Sequence, residues 1–321
     1  MKSIIVYHKQ DCDGIVGAAV LYKNIKNIYS YDDIELLGGD YSNNEELLTI
    51  IKSVLSNDEK LMLYIVDYSF DAKDIKEILK SDMCQSIAWF DHHVTAIESY
   101  LKAGLIKQIE GKVDEYESIH SKMFAYCTPK HSGCYNAYVG MTGNEPKDES
   151  IVGLISVFDC WQKNSDFWFK ALYLNQYMQE HVYFVRYHDL ADIIDSNNES
   201  EIIAKWSELG QNIYNAIQQL KNKYASEAAF DLMFEDLLFK AINSTPGGSF
   251  VVEQEATEDH DALMQFCWKK DRWSFSMYHN PRSTKKPDLS KIAVKFGGGG
   301  HPGACGFSAK ELPFELTPET K

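Results

Sequence analysis

Ser86-Ile87-Ala88-Trp89-Phe90-Asp91-His92-His93 is the stretch that decides the fold of this chain. An apolar run ends abruptly in one carboxylate and two imidazoles, so charge collects where a buried strand would meet its loop. In an open α/β sheet, ligand sites lie at that place, outside the carboxyl ends of the strands. Working outward, the same arrangement recurs. Ile4-Ile5-Val6-Tyr7 leads into His8, Asp11 and Asp13; Leu61-Met62-Leu63-Tyr64-Ile65-Val66 leads into Asp67; and a fourth apolar stretch, Ile151 to Phe158, is read the same way and delivers Asp159. Between these runs lie helical segments, Gly14 to Leu21, Glu45 to Leu55 and Asp71 to Lys80, which predicts βα units and a parallel sheet.

Six side chains, His8, Asp11, Asp13, Asp67, His92 and Asp159, are thus candidate metal ligands, mixing imidazole with carboxylate and lacking a cysteine pair. A single tetrahedral zinc needs only three or four. Six with a shared carboxylate suit two divalent ions about 3.5 to 4 Å apart, the spacing that clamps both oxygens of a phosphoryl transfer. Oxygen-rich mixed donors favour Mn²⁺ or Mg²⁺, with zinc or cobalt as competitors. Manganese is the first choice. Each piece alone has a plain structural explanation, Asp-Cys-Asp-Gly as a turn and Asp67 as a helix cap; it is their repetition at strand ends that argues for a site.

The chain resembles the DHH phosphoesterase superfamily, nearly end to end. Tyr7-His8-Lys9-Gln10-Asp11-Cys12-Asp13-Gly14 resembles its first motif, Ile65-Val66-Asp67-Tyr68-Ser69 the second, Asp91-His92-His93 the third and Phe158-Asp159-Cys160-Trp161 the fourth. Gly297-Gly298-Gly299-Gly300-His301-Pro302-Gly303-Ala304 resembles the glycine-rich signature of the DHH-associated domain. The resemblance implies that His8, Asp11 and Asp67 hold one metal and Asp13, Asp67, His92 and Asp159 the other, with Asp67 bridging. His93 would face the scissile phosphate, with Asp91 beside it in the catalytic group. The cofactors implied are two Mn²⁺, with Mg²⁺ or Co²⁺ as substitutes. The activity implied is hydrolysis of short single-stranded oligonucleotides or linear dinucleotides to nucleoside monophosphates by a metal-activated water. Cyclic nucleotides, cyclic dinucleotides, pyrophosphate or polyphosphate are the alternative substrates, and a silent nucleotide-binding module is the alternative outside enzymes. Several oligonucleotide-cleaving relatives carry a substrate-binding arginine in the strand matching Ser274 to His279. Here Tyr278 and His279 stand in that region, and Arg282 follows.

With 321 residues the chain exceeds the usual single domain. The expected division is a catalytic metal-binding domain over 1–185, a linker-helix region over 186–228 and a smaller α/β substrate-binding domain over 229–321. Ile203, Trp206, Leu209, Ile213, Ile217, Leu220 and Tyr224 recur at three- and four-residue steps, the pattern of one long amphipathic helix. Leu237 to Asn243, Ser249 to Val252 and Trp273 to Tyr278 then read as strands. The odd set of seven cysteines contains no Cys-x-x-Cys pair, which points to reduced thiols and a cytoplasmic location. No run approaches the roughly 20 apolar residues of a membrane span.

A net charge of -15 argues against broad duplex binding, which depends on basic residues replacing counterions. From Gln265 to Gly300 the balance is reversed, with Lys269, Lys270, Arg272, Arg282, Lys285, Lys286, Lys291 and Lys295 against Asp271 and Asp288. Glycine lets successive backbone N–H groups approach an anion. Gly298, Gly299, Gly300 and His301 are therefore expected to clamp a phosphate or terminal nucleotide, with Arg282 and His279 as further contacts. A monomer and a homodimer both fit the sequence.

Overall fold

Continuous apolar runs become strands covered on both faces, and runs with a polar side become the helices that cover them. In the computed structural model, which describes all residues except 27, 29–32, 182–186, 245–249 and 317–321, the chain divides into two units, Met1–Tyr214 and Asn215–Lys321. The first unit opens with four strand–helix repeats: β1 (Lys2–His8), α1 (Cys12–Ile25), β2 (Ile34–Gly39), α2 (Asn44–Ser56), β3 (Leu61–Val66), α3 (Ala72–Lys80), β4 (Cys84–Phe90) and α4 (Val94–Lys102). Three short strands follow, β5 (Ile106–Gln108), β6 (Tyr116–Ser118) and β7 (Met123–Cys127). Four helices complete the layer: α5 (Gly133–Thr142), α6 (Ile151–Asp159), α7 (Trp168–His181) and α8 (Tyr187–Ile193).

Their sheet has the order β2-β1-β3-β4-β7-β6-β5, parallel from β2 through β7 and antiparallel at the β6 and β5 edge. The chain leaves β1 to pair β2 on one side and returns to pair β3 on the other. That reversal makes the β1–β3 boundary the switch point, where a crevice opens at the strand ends. Ile4, Ile5, Val6, Ile65, Val66, Trp89 and Phe90 are fully buried, each contributing about 1.5–3 kcal/mol of burial before entropy is charged against it. Helix α1 approaches this sheet closely at Gly17, where a Cβ would sit 2.4 Å from Val66 Cγ2 of β3.

Helix α9 (Glu199–Ala228) is the long amphipathic helix expected from the three- and four-residue spacing. Ile203 near its start belongs to the first unit's core, whereas Ala225 near its end packs with Ile242 and Leu263 in the second. The second unit holds β8 (Phe230–Phe234), β9 (Leu237–Asn243), α10 (Phe250–Glu253), β10 (Ala262–Lys269), β11 (Arg272–His279), α11 (Ser290–Lys295), β12 (Gly299–His301) and β13 (Ala304–Ala309). Its sheet runs β12-β13-β11-β10-β9-β8 and is antiparallel except for the β9–β10 pair. Phe239, Phe266, Phe275 and Phe307 belong to its core, where the Phe275 ring stacks on both Phe266 and Phe307.

Two expectations need correction. The apolar stretch before Asp159 is helix α6, not a strand, and Asp159 is its last residue. Short apolar runs do not separate a buried strand from a buried helix; the deciding signal was Ser150, whose Oγ accepts from the Gly153 amide at 3.1 Å as an N-cap. The Ser249–Val252 stretch is likewise not a strand: Phe250–Glu253 form α10, and Ser249 lies outside the described residues. Among the described residues no helix is long and apolar enough to cross a membrane.

Candidate metal centre

β1, β3 and β4 end side by side in the parallel sheet, so the residues that follow them meet. Asp67 is the hub. It follows β3 with φ at 52°, a left-handed conformation unfavourable for a residue with a Cβ, and such strain persists only where the surroundings impose it. Its Oδ2 lies 3.6 Å from His8 Nδ1 and its Oδ1 lies 3.4 Å from His92 Nε2. One carboxylate therefore faces both imidazoles from opposite oxygens. The side chain of Asp67 is 2% exposed.

On one side, His8 Nδ1 meets Asp11 Oδ2 at 2.8 Å. Asp11 also caps α1, accepting from the Gly14 amide at 3.0 Å through Oδ1. Gly14 is required by close approach, because a Cβ there would sit 1.9 Å from the His8 carbonyl oxygen. On the other side, His92 Nε2 lies 3.8 Å from Asp13 Oδ2 and 3.3 Å from Asp159 Oδ2. Buried Asp13 is fixed by the amides of Gly133 and Cys134, at 2.7 and 2.8 Å, at the start of α5. Gly133 is also a requirement of packing: a Cβ would come within 2.7 Å of the Asp67 Cβ.

The six expected side chains thus come together, in two groups that share Asp67. Their charge is unbalanced, with four carboxylates against two imidazoles. Burial, reinforced by the Asp13 charge, pushes the carboxyl groups of Asp67 and Asp159 well above the ordinary range. The Asp11 hydrogen bond, joined by Asp67, raises His8 to about 10. Burial acts against a charged His92, yet the Asp67 hydrogen bond and the neighbouring carboxylates raise it to about 12. Both Asp67 Oδ2 and Asp159 Oδ2 are buried without a hydrogen-bond partner. Orphaned carboxylate oxygens at such a place fit a divalent cation, because a buried unpaired acceptor is otherwise costly.

Asp91 has a different part. Its Oδ1 accepts from the His92 and His93 amides at 2.7 and 3.0 Å and meets His93 Nδ1 at 2.7 Å. Its Oδ2 accepts from Ser69 Oγ at 2.5 Å, and that hydroxyl accepts from Trp89 Nε1 at 3.1 Å. Asp91 is fully buried, which disfavours its charge, but the His93 hydrogen bond and charge hold it below the ordinary range. In turn the Asp91 hydrogen bond raises His93, whose imidazole remains about half exposed.

The cysteines of the first and fourth motifs differ. Cys12 Sγ turns to α7, donating to the Asn175 carbonyl at 3.9 Å and to Gln179 Oε1 at 3.6 Å. Gln179 Nε2 also donates to the Gln10 carbonyl at 3.1 Å, so α7 holds the loop after β1. Cys160, half-buried, falls with His92 and Asp159 into a group whose ligand atoms lie within 4.8 Å of one another. Cys160, Gln179, Ser69 and the Gly133 and Cys134 amides were not among the site residues expected from the sequence.

The remaining expected residues lie in the second unit. Gly299, Gly300 and His301 form β12, hairpin partner of β13, with Gly300 at φ 130° and His301 exposed. Gly298 packs so closely that a Cβ would sit 2.1 Å from the Gly306 carbonyl oxygen. Arg282 Nη1 donates to the carbonyls of Glu253 and Gln254 at 2.7 and 3.1 Å, and also to that of Ala256, closing the end of α10. His279 Nε2 meets the Pro287 carbonyl at 2.8 Å. Much of the basic segment is paired locally: Lys285 with Asp261 at 2.7 Å, Lys295 with Glu235 at 2.6 Å, and Lys286 with the Asn280 and Ser283 carbonyls.

The fold has counterparts among solved structures. A solved structure described as the DHH domain of a member of a ribosomal-protein family matches with a TM-score of 0.56 at 13% identity, over 95% of this chain and 82% of that one. The chain has the DHH-domain fold. Exonuclease RecJ bound to manganese matches at a TM-score of 0.45 and 13% identity, over 96% of this chain and 86% of that one. A pGpG-specific phosphodiesterase, PggH, from Vibrio cholerae matches at 0.43 and 12%, over 96% and 93%. Neither a protein-family model nor a curated protein matches the sequence.

Proposed function

We propose that this DHH-fold chain is a two-metal phosphodiesterase that cleaves short single-stranded oligonucleotides or linear dinucleotides to nucleoside monophosphates. The observation that carries the reading is Asp67, a buried carboxylate in a strained backbone conformation with one oxygen toward His8 and the other toward His92. On this reading His8, Asp11 and Asp67 hold one divalent ion, Asp13, Asp67, His92 and Asp159 hold the other, and Mn²⁺ is the preferred metal. Ions bound there would supply hydroxide at neutral pH and neutralise charge on the phosphoryl oxygens.

The protein's own groups do the positioning. Asp91 meets Nδ1 of His93, fixes its ring orientation and favours its protonated form, whose Nε2–H can donate to a phosphoryl oxygen. His301 is assigned to the nucleotide, while Arg282 and His279, bonded to nearby carbonyls, shape the segment leading to the β12–β13 hairpin. The deciding experiment is a turnover panel on protein stripped of metal and then reloaded with manganese. Short RNA and DNA oligomers, cyclic dinucleotides, pyrophosphate and polyphosphate make up the panel. Metal-dependent release of nucleoside monophosphate from a dinucleotide is expected. Full turnover after exhaustive chelation would overturn the two-metal reading, and release of phosphate from polyphosphate alone would overturn the substrate.

A further inference from the structure

Beside His93 the first unit has a pocket of about 400 Å³, within the size range of small-molecule sites. Its aromatic wall includes Tyr41, Phe70 and Tyr100, and its polar groups come from Asp71, Thr95 and Ser99. Tyr41 is held at φ 62°, is half exposed and is backed by Tyr68, whose ring stacks on it with centroids 4.6 Å apart at 15°. A rigid aromatic presented in this way is a stacking surface for a base. Ser69 also lines the pocket, but its hydrogen goes to Asp91 and its oxygen receives Trp89 Nε1, so it joins the pocket wall to the group that orients His93.

The charge of the lining narrows the occupant. Among the described residues that line it, Asp71 is the acid, His93 is the titratable base, and there is no Lys or Arg. Asp71 is the N-cap of α3, yet its side chain makes no cap hydrogen bond, although such carboxylates ordinarily do. It is about 70% exposed, with Lys73 Nζ 3.3 Å away. Asp71, exposed and paired with Lys73, leaves carboxylate lone pairs that can accept hydrogen bonds from the neutral donors of a nucleoside. We propose that this pocket seats the nucleoside next to the scissile phosphate, with Tyr41 against the base and Asp71, Thr95 and Ser99 reading its polar groups. The inference rests on the phosphodiester reading of the adjoining site, and it makes the substrate a nucleotide diester rather than an inorganic phosphoanhydride.

Ser99→Phe fills the pocket from an exposed position on α4, and Asp71→Ala removes its acceptor without breaking a cap. The readout is kcat/KM for ApA divided by kcat/KM for bis(p-nitrophenyl) phosphate, on manganese-loaded protein of unchanged metal content. Both variants should lower that ratio, Ser99→Phe by about tenfold, the size expected from losing one stacked base. Equal losses on both diesters, or an unchanged ratio, overturn the pocket assignment. Titration with the phosphorothioate analogue of ApA makes the test independent of turnover. Binding weakened about tenfold by Ser99→Phe supports the pocket even if the parent hydrolyses nothing, in which case only the hydrolase reading fails; unchanged binding overturns the pocket whatever the activity.

Discussion

Asp67 and Asp11 face the same imidazole, yet the burial of the two carboxylates differs sharply: Asp67 is 2% exposed at the hub and Asp11 is 40% exposed at a helix cap. Asp67→Ala should therefore lower bound manganese below two ions per chain and abolish measurable turnover. Asp11→Ala should retain the ion on the His92 side, and metal analysis of the two purified variants separates them. Two ions retained by Asp67→Ala would refute bridging. Asp91→Asn tests a second residue of another kind. The neutral amide no longer favours the protonated form of His93, so kcat should fall by about 10²-fold, the typical cost of losing one donor to developing charge, while metal content stays constant. The six clustered side chains were legible because charge at the end of an apolar run is conspicuous. Ser69, Gln179 and the Gly133 and Cys134 amides were not, since an amide carries no residue signature and these contacts join segments far apart in sequence.

At the scale of elements, legibility followed length and periodicity. β1, β3 and β4 were readable as apolar runs, and α9 from its spacing over many turns. Ile151 to Phe158 misled because a short helix buried on all sides through Val157 shows little periodicity, and Ser150 was the better guide. The junction of α5 with the end of β3 gives an element-level prediction. Gly133→Ala would force its Cβ into Asp67, pushing the helix away from Asp13 and Asp67. A loss of about 1–3 kcal/mol in unfolding free energy is expected from such overpacking, with weakened manganese binding alongside. Stability lost with unchanged metal affinity would show that α5 does not position the site. For the β12–β13 hairpin, His301→Ala should lower turnover of a dinucleotide more than turnover of bis(p-nitrophenyl) phosphate. Equal losses with metal retained would place His301 in the chemical step, and loss of metal would make it a ligand; either contradicts the assignment to the nucleotide.

For the whole molecule, the crowding of carboxylates at the carboxyl ends of β1 and β3 links metal, proton and fold. Asp67 and Asp159 are raised in the folded state, first by burial and then by the Asp13 charge. In the metal-free protein such acids favour folding while protonated, and that contribution is lost as pH rises through their raised folded values. His8, raised to about 10 chiefly by its Asp11 hydrogen bond, acts in the same direction: its contribution is complete below the ordinary histidine value and is lost as pH climbs through about 10. Asp11 and Asp91 are lowered and so act only in the acid range, below ordinary carboxylate values. The metal-free protein should therefore melt at a lower temperature at pH 9 than at pH 6. Manganese needs the deprotonated ligands, so its stabilisation should grow over the same interval and offset the loss. Melting curves in chelator and in excess manganese at the two pH values provide the test. A metal-free midpoint that rises from pH 6 to pH 9, or a manganese shift larger at pH 6, would mean that these carboxylates do not govern the stability of the fold.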